Sequence, residues 1–112
     1  MGKIMNRLTS ELEDTKELFR CYMPFVKGGG LFIKTNLPAK IGDKVAITLT
    51  LPDALEPEMF ESEVIWVTPQ GAQNVNPPGV GVLLNNTENR LQVKIEKLLG
   101  TMLNLPEPTY TM

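Results

Sequence analysis

The chain offers little for catalysis to work with. It carries thirteen Asp and Glu residues, eleven Lys and Arg, one Cys and no His. Without imidazole it lacks the commonest general base and the commonest metal ligand. Cys21 stands alone, which excludes an internal disulfide and a Cys-rich zinc site. Beside an apolar segment it reads as a small core residue. Glu61 and Glu63, two apart on one strand face, read as exposed alternation rather than an acid–base pair. The sequence therefore leads us to expect no catalytic residue, no metal site and no cofactor, and not an enzyme.

One stretch looks built to meet a ligand. Gly28-Gly29-Gly30 lies between Tyr22-Met23-Pro24-Phe25-Val26-Lys27 and Leu31-Phe32-Ile33. A glycine triplet marks a sharp turn or a close backbone approach. Loops that cradle phosphate usually add Ser, Thr, Asn, Asp or Arg. Here the neighbours are Pro, Phe, Val and one Lys, so the loop has a nucleotide binder's backbone without its side chains.

The elements that must position this loop are strands. Lys44–Leu51 alternates, with Val45, Ile47, Leu49 and Leu51 on one face and Lys44, Ala46, Thr48 and Thr50 on the other. That is the pattern of a half-buried antiparallel strand. Leu31–Thr35, a segment from about Met59 to Thr68, and Gly79–Leu84 read as further strands, the last with glycines that suggest close backbone packing or a tight barrel bend. Ile4, Leu8 and Leu12 suit either a strand or a helix. Asp14-Thr15 caps a short helical turn that ends by Pro24. From 87 to 103 the period changes, and Leu91, Ile95, Leu98, Leu99, Met102 and Leu103 form an apolar stripe, with Thr87 as the expected N-cap. The fold class is mainly β, a small antiparallel barrel covered by one C-terminal helix.

Composition fits a globular domain. The 112 residues are 42% hydrophobic and 21% charged, which suits one domain with its own core. A net charge of −2 disfavours a nucleic-acid partner, including an oligonucleotide-binding barrel that would need a basic aromatic groove. No apolar run approaches the roughly 20 residues of a membrane span, and Met1–Arg7 lacks the apolar stretch expected of a signal peptide. A cytoplasmic location is expected.

Several phrases together resemble a PilZ domain. They are the glycine turn into a strand, Ile41-Gly42-Asp43-Lys44-Val45, Glu63-Val64-Ile65-Trp66-Val67, and Gly79-Val80-Gly81-Val82 before the helix. The resemblance spans roughly residues 15–103 of a single domain over 1–112, leaving 104–112 as a tail. It implies a six-stranded β-barrel. Tyr22–Lys27, Thr68–Gln73 and Pro108–Met112 are closer still to the type IV pilus assembly subgroup of that family.

Most PilZ domains bind cyclic di-GMP through RxxxR and [DN]xSxxG. On this chain Gly30 matches the motif glycine, Lys27 stands at the Ser position and Phe25 at the Asp/Asn position. No RxxxR exists: Arg7 is followed four residues on by Glu11, and Arg20 by Pro24. A dianionic dinucleotide needs planar bidentate guanidinium forks, which one Lys cannot supply. The resemblance thus implies an adaptor for pilus biogenesis and twitching motility that does not bind cyclic di-GMP directly. Its implied partners are the pilus extension ATPase and, in some bacteria, an EAL-domain cyclic di-GMP sensor. A degenerate cyclic di-GMP receptor is the alternative, and a monomer is the expected state.

Candidate contact residues follow from chemistry common in interfaces. Tyr22, Met23, Pro24 and Phe25 form either an exposed patch or a core segment. If Ile65 and Val67 face inward, Trp66 faces outward with Val64. In the patch, Tyr22→Ala or Trp66→Ala would weaken binding without unfolding the domain. Tyr110 and Met112 in the tail are either recognition residues or a frayed end.

Overall fold

A computed structural model of the chain describes residues 6–68, 77–84, 90–104 and 109–111. Strand β1 (Asn6–Glu11) buries Leu8 and exposes Arg7, Thr9 and Glu11, so the ambiguous four-residue spacing resolves as a strand. Helix α1 (Thr15–Cys21) follows. Asp14 caps it by accepting the Glu17 N–H at 2.8 Å, as its sequence suggests. The chain continues through β2 (Tyr22–Met23), β3 (Gly30–Lys34), β4 (Lys44–Thr50), β5 (Glu58–Thr68) and β6 (Gly79–Leu83). Helix α2 (Leu91–Leu99) and a 3-10 turn (Gly100–Asn104) close the described core.

The six strands make one curled sheet, a half-barrel, in the order β1-β4-β5-β6-β3-β2. The mainly β class with a C-terminal helix stands. One pairing departs from the antiparallel expectation: β1 runs parallel to β4, from Asn6 opposite Val45 to Glu11 opposite Thr50. Parallel neighbours need a long crossover, and the segment from Leu12 to Asp43 supplies it. The alternation in β4 fits its antiparallel pairing with β5, and a pattern already accounted for by one neighbour says nothing about the direction of the other.

β4 matches its reading residue for residue, with Val45, Ile47 and Leu49 buried. β5 does not. The register shifts between Val64, opposite Val82, and Trp66, opposite Gly81. This bulge at Ile65 breaks simple alternation. Val64 is fully buried, so the expectation that it faces outward with Trp66 is corrected.

The C-terminal helix is shorter than its stripe. Gly100, at φ 51°, ends it, and only Leu91, Ile95 and Leu99 are buried. Leu98 and Leu103 are partly exposed and Met102 packs at the core margin. Arg90 occupies the N-cap position without a side-chain cap, and the expected cap Thr87 lies outside the described residues.

Candidate functional site

The glycine loop closes on itself. Val26 N–H donates to the Met23 carbonyl at 3.3 Å, and Gly29 N–H to the Val26 carbonyl at 2.8 Å. Gly28 and Gly29 take φ of 83° and 85°, which L side chains rarely adopt. Gly30, the motif glycine, is buried against Met23, Val26 and the Val82 carbonyl. The Gly29 and Val26 amides that could face an anion are thus committed within the turn. Lys27 is exposed.

Phe25 instead turns to Trp66. It is 48% exposed, and the two rings meet edge to face at 6.2 Å and 62°. The β5 bulge is what presents Trp66 here, and its Nε1–H donates to Thr68 Oγ1 at 2.9 Å. Gly81 on β6, opposite Trp66, has no side chain, and the Met23 thioether fills the space a Cβ would take. Two residues that lie 41 positions apart in sequence thereby form one aromatic pair, with exposed Pro24 beside Phe25.

Tyr22 and Met23 do not belong to an exposed patch. They are 1% and 0% exposed, paired as strand β2 with Leu31 and Gly30. An exposed contact role for these two is corrected to a core role, and an unperturbed stability for Tyr22→Ala is no longer expected. The Tyr22 hydroxyl donates to the Glu96 carboxylate on α2. Burial, followed by that carboxylate, pushes the Tyr22 hydroxyl well above its usual range, while Gln92 opposes them. Gln92 also lies over Gly29, so α2 is fastened directly across the glycine loop.

Tyr110 is packed on the body: its hydroxyl donates to Glu17 Oε1 at 2.9 Å and its ring tilts against Phe32. Met112 lies outside the described residues. Sequence reasoning missed Thr68, Glu96, Glu17 and Lys34 as partners of the candidate aromatics. Thr68 alone had a local signal, a hydroxyl two positions from Trp66 on the same strand.

A hollow of about 560 Å³ lies elsewhere, between the Thr35–Lys40 loop and the Val67–Thr68 and Pro78–Val80 strand ends. Its acidic residue, Asp43, already caps the Lys40 N–H at 2.8 Å. Among the described residues no three metal-ligating side chains gather, and no helix is long and apolar enough to cross a membrane.

The buried thiol gives the domain an alkaline signature. Burial, aided by the Glu17 charge and opposed by Lys34, pushes Cys21 from 9.0 up to about 12. The unfolded chain loses this proton near pH 9 and the folded chain holds it to about 12. Stability is therefore intact below the lower value and falls as pH rises through that window. Tyr22 acts in the same direction above its ordinary value of 10.0. Melting from about pH 8 to pH 11 should show a declining midpoint, and Cys21→Ala should flatten it by at most about 1.4 kcal/mol per pH unit. A wild-type midpoint flat across that range would contradict the burial of both groups.

No curated protein matches the chain. The PilZ domain family matches residues 4–101, a span that holds all six strands and α2. With the curled six-stranded sheet, the glycine loop at its β2–β3 turn and the helix across it, the chain belongs to the PilZ domain family.

Proposed function

We propose that this PilZ domain is a non-catalytic adaptor in type IV pilus biogenesis and twitching motility that acts by protein–protein contact. A PilZ domain implies a cyclic di-GMP-related regulator or adaptor, and such domains are generally non-catalytic. The observation that favours the adaptor is Phe25. It stands where receptors of the family carry Asp or Asn, and it presents a half-exposed ring to Trp66 rather than an acceptor to a guanine. The partner we assign is the pilus extension ATPase, with an EAL-domain cyclic di-GMP sensor as the second contact. The domain works as a monomer in the cytoplasm.

Aromatic anchors suit such a role. Burying even a few hundred Å² of apolar surface at about 25 cal/mol per Å² can dominate affinity once association costs are met. Phe25→Ala is expected to weaken capture of the ATPase about tenfold while leaving the melting temperature nearly unchanged. Trp66→Phe, which keeps an apolar ring but loses the Thr68 bond, should weaken it less. Calorimetry with free cyclic di-GMP should show no heat of binding. Micromolar binding there would favour the degenerate receptor, and normal ATPase capture by Phe25→Ala would remove the aromatic pair from the interface.

A further inference from the structure

Among the described residues, four groups meet Tyr110, at its amide, its hydroxyl and its ring. Tyr110 N–H donates to the Arg20 carbonyl at the end of α1, at 2.9 Å. Its hydroxyl donates to Glu17 Oε1, also at 2.9 Å. One side of the ring meets Phe32 at 5.6 Å between centroids, tilted by 44°. The Lys34 ammonium lies 4.7 Å from the ring centroid and pairs with Glu17 Oε2 at 2.7 Å. Burial pulls Lys34 down, yet Glu17 and Tyr110 together raise it, so the ammonium stays charged over the ring. Phe would lose the hydroxyl bond, and an aliphatic residue would lose both ring contacts. The recess selects tyrosine.

The same contact carries its own weakness. The Glu17 and Lys34 side chains keep 26% and 47% of their exposure, so water can replace their bonds when the tail leaves. Thr111 is only 5% exposed, and among the described residues its Oγ1 has no partner. A buried hydroxyl with no partner among the described residues weighs toward opening, as do bonds that water can replace.

We propose that α1 and β3 form a tyrosine-recognition site, that the chain's own Thr109–Thr111 occupies it in cis, and that the contact works as a latch, opening and closing while the barrel stays folded. Closed, it partly buries Tyr110 against Phe32 and fills the recess. Open, it offers both a tyrosine-bearing end and a vacant site.

Native-state hydrogen exchange of the full chain, followed by NMR, tests this. The Tyr110 amide should exchange at least about tenfold faster than the β3–β6 ladder and at least about tenfold slower than an unstructured amide. Tyr110→Phe and Glu17→Gln should each speed exchange at Tyr110 about tenfold, with the ladder unchanged. Thr111→Val keeps the shape and removes the unpaired hydroxyl, so it should slow Tyr110 exchange. Exchange of Tyr110 together with the ladder would make the tail a fixed part of the fold and overturn the latch. So would an unstructured rate in the wild type, or faster exchange in Thr111→Val. Exchange that depends on protein concentration would assign the docked tail to a second copy and overturn the contact in cis.

Discussion

Gly79→Ala is expected to lower the melting temperature by roughly 10 °C or more, the consequence of about 3 kcal/mol of overpacking. Gly79 lies opposite Lys34 in the β3–β6 ladder and opposite Thr68 in the β5–β6 ladder. A Cβ there would sit 2.6 Å from Phe32 Cζ and closer still to the Ile33 carbonyl oxygen. The ring could shift, but the carbonyl belongs to the ladder and cannot move without parting β3 from β6. Ala also stiffens the unfolded chain, a gain of only about 0.4–1 kcal/mol that the clash outweighs. Gly42→Ala is the matched control. Gly42 has open space around it but a φ of +99°, so its cost is backbone strain alone. A circular dichroism melt of both variants separates the two effects. A Gly79→Ala midpoint within about 3 °C of wild type would mean that β3 and β6 are not held at this separation.

That pair also shows what could be read from residue order. Gly79 and Gly81 in a strand pattern pointed to close backbone packing, which the Ile33 carbonyl supplies at Gly79, whereas at Gly81 the close neighbours are the side chains of Met23 and Trp66. β4 was legible because one face is core and the other is not, which writes the pleat into the sequence. Asp14 was legible because capping is local. Legibility failed where the outcome depends on distant residues. β2 is two residues long and carries no periodicity, and it exists only because Leu31 and Gly30 pair with it. The parallel β1–β4 edge is a property of the path between the strands. The bulge at Ile65 adds one residue to one strand, and alternation carried across it assigns Val64 to the wrong face.

The candidate site divides along the same line. Phe25 and Lys27 at motif positions could be read as side chains unfit for a dinucleotide, since that judgement needs only residue type. That Phe25 meets Trp66 could not, because the two are brought together by the β2–β3 turn and the bulge. Tyr22 marks the limit most clearly. An aromatic beside Pro24 and Phe25 has the composition of a contact patch, yet Tyr22 and Met23 are both buried because β2 pairs with β3, a partner that composition does not reveal. Pro24 and Phe25 leave the sheet just as Tyr22 and Met23 enter it, so one short phrase is half surface and half core.

Tyr22→Ala should therefore destabilise the domain by about 3–5 kcal/mol, close to the cost of deleting any large buried aromatic. That is roughly 10–20 °C in melting temperature. Two losses combine. The ring leaves a cavity under Gly29, where a Cβ would sit 3.4 Å from Tyr22 Cε1, and the hydroxyl no longer ties α2 through Glu96. Tyr22→Phe separates them. It keeps the packing, and because Glu96 is exposed its freed carboxylate turns to water, so the cost should be only about 1 kcal/mol. Capture of the ATPase should follow the same order. Tyr22→Ala loses it because the adjoining Pro24–Phe25 turn is no longer held, whereas Tyr22→Phe retains it. A Tyr22→Phe variant that melts like wild type but fails to capture would make the hydroxyl itself a contact group and return Tyr22 to the interface. A Tyr22→Ala variant with an unchanged midpoint would do so more directly, since a side chain that can be deleted without cost is not core.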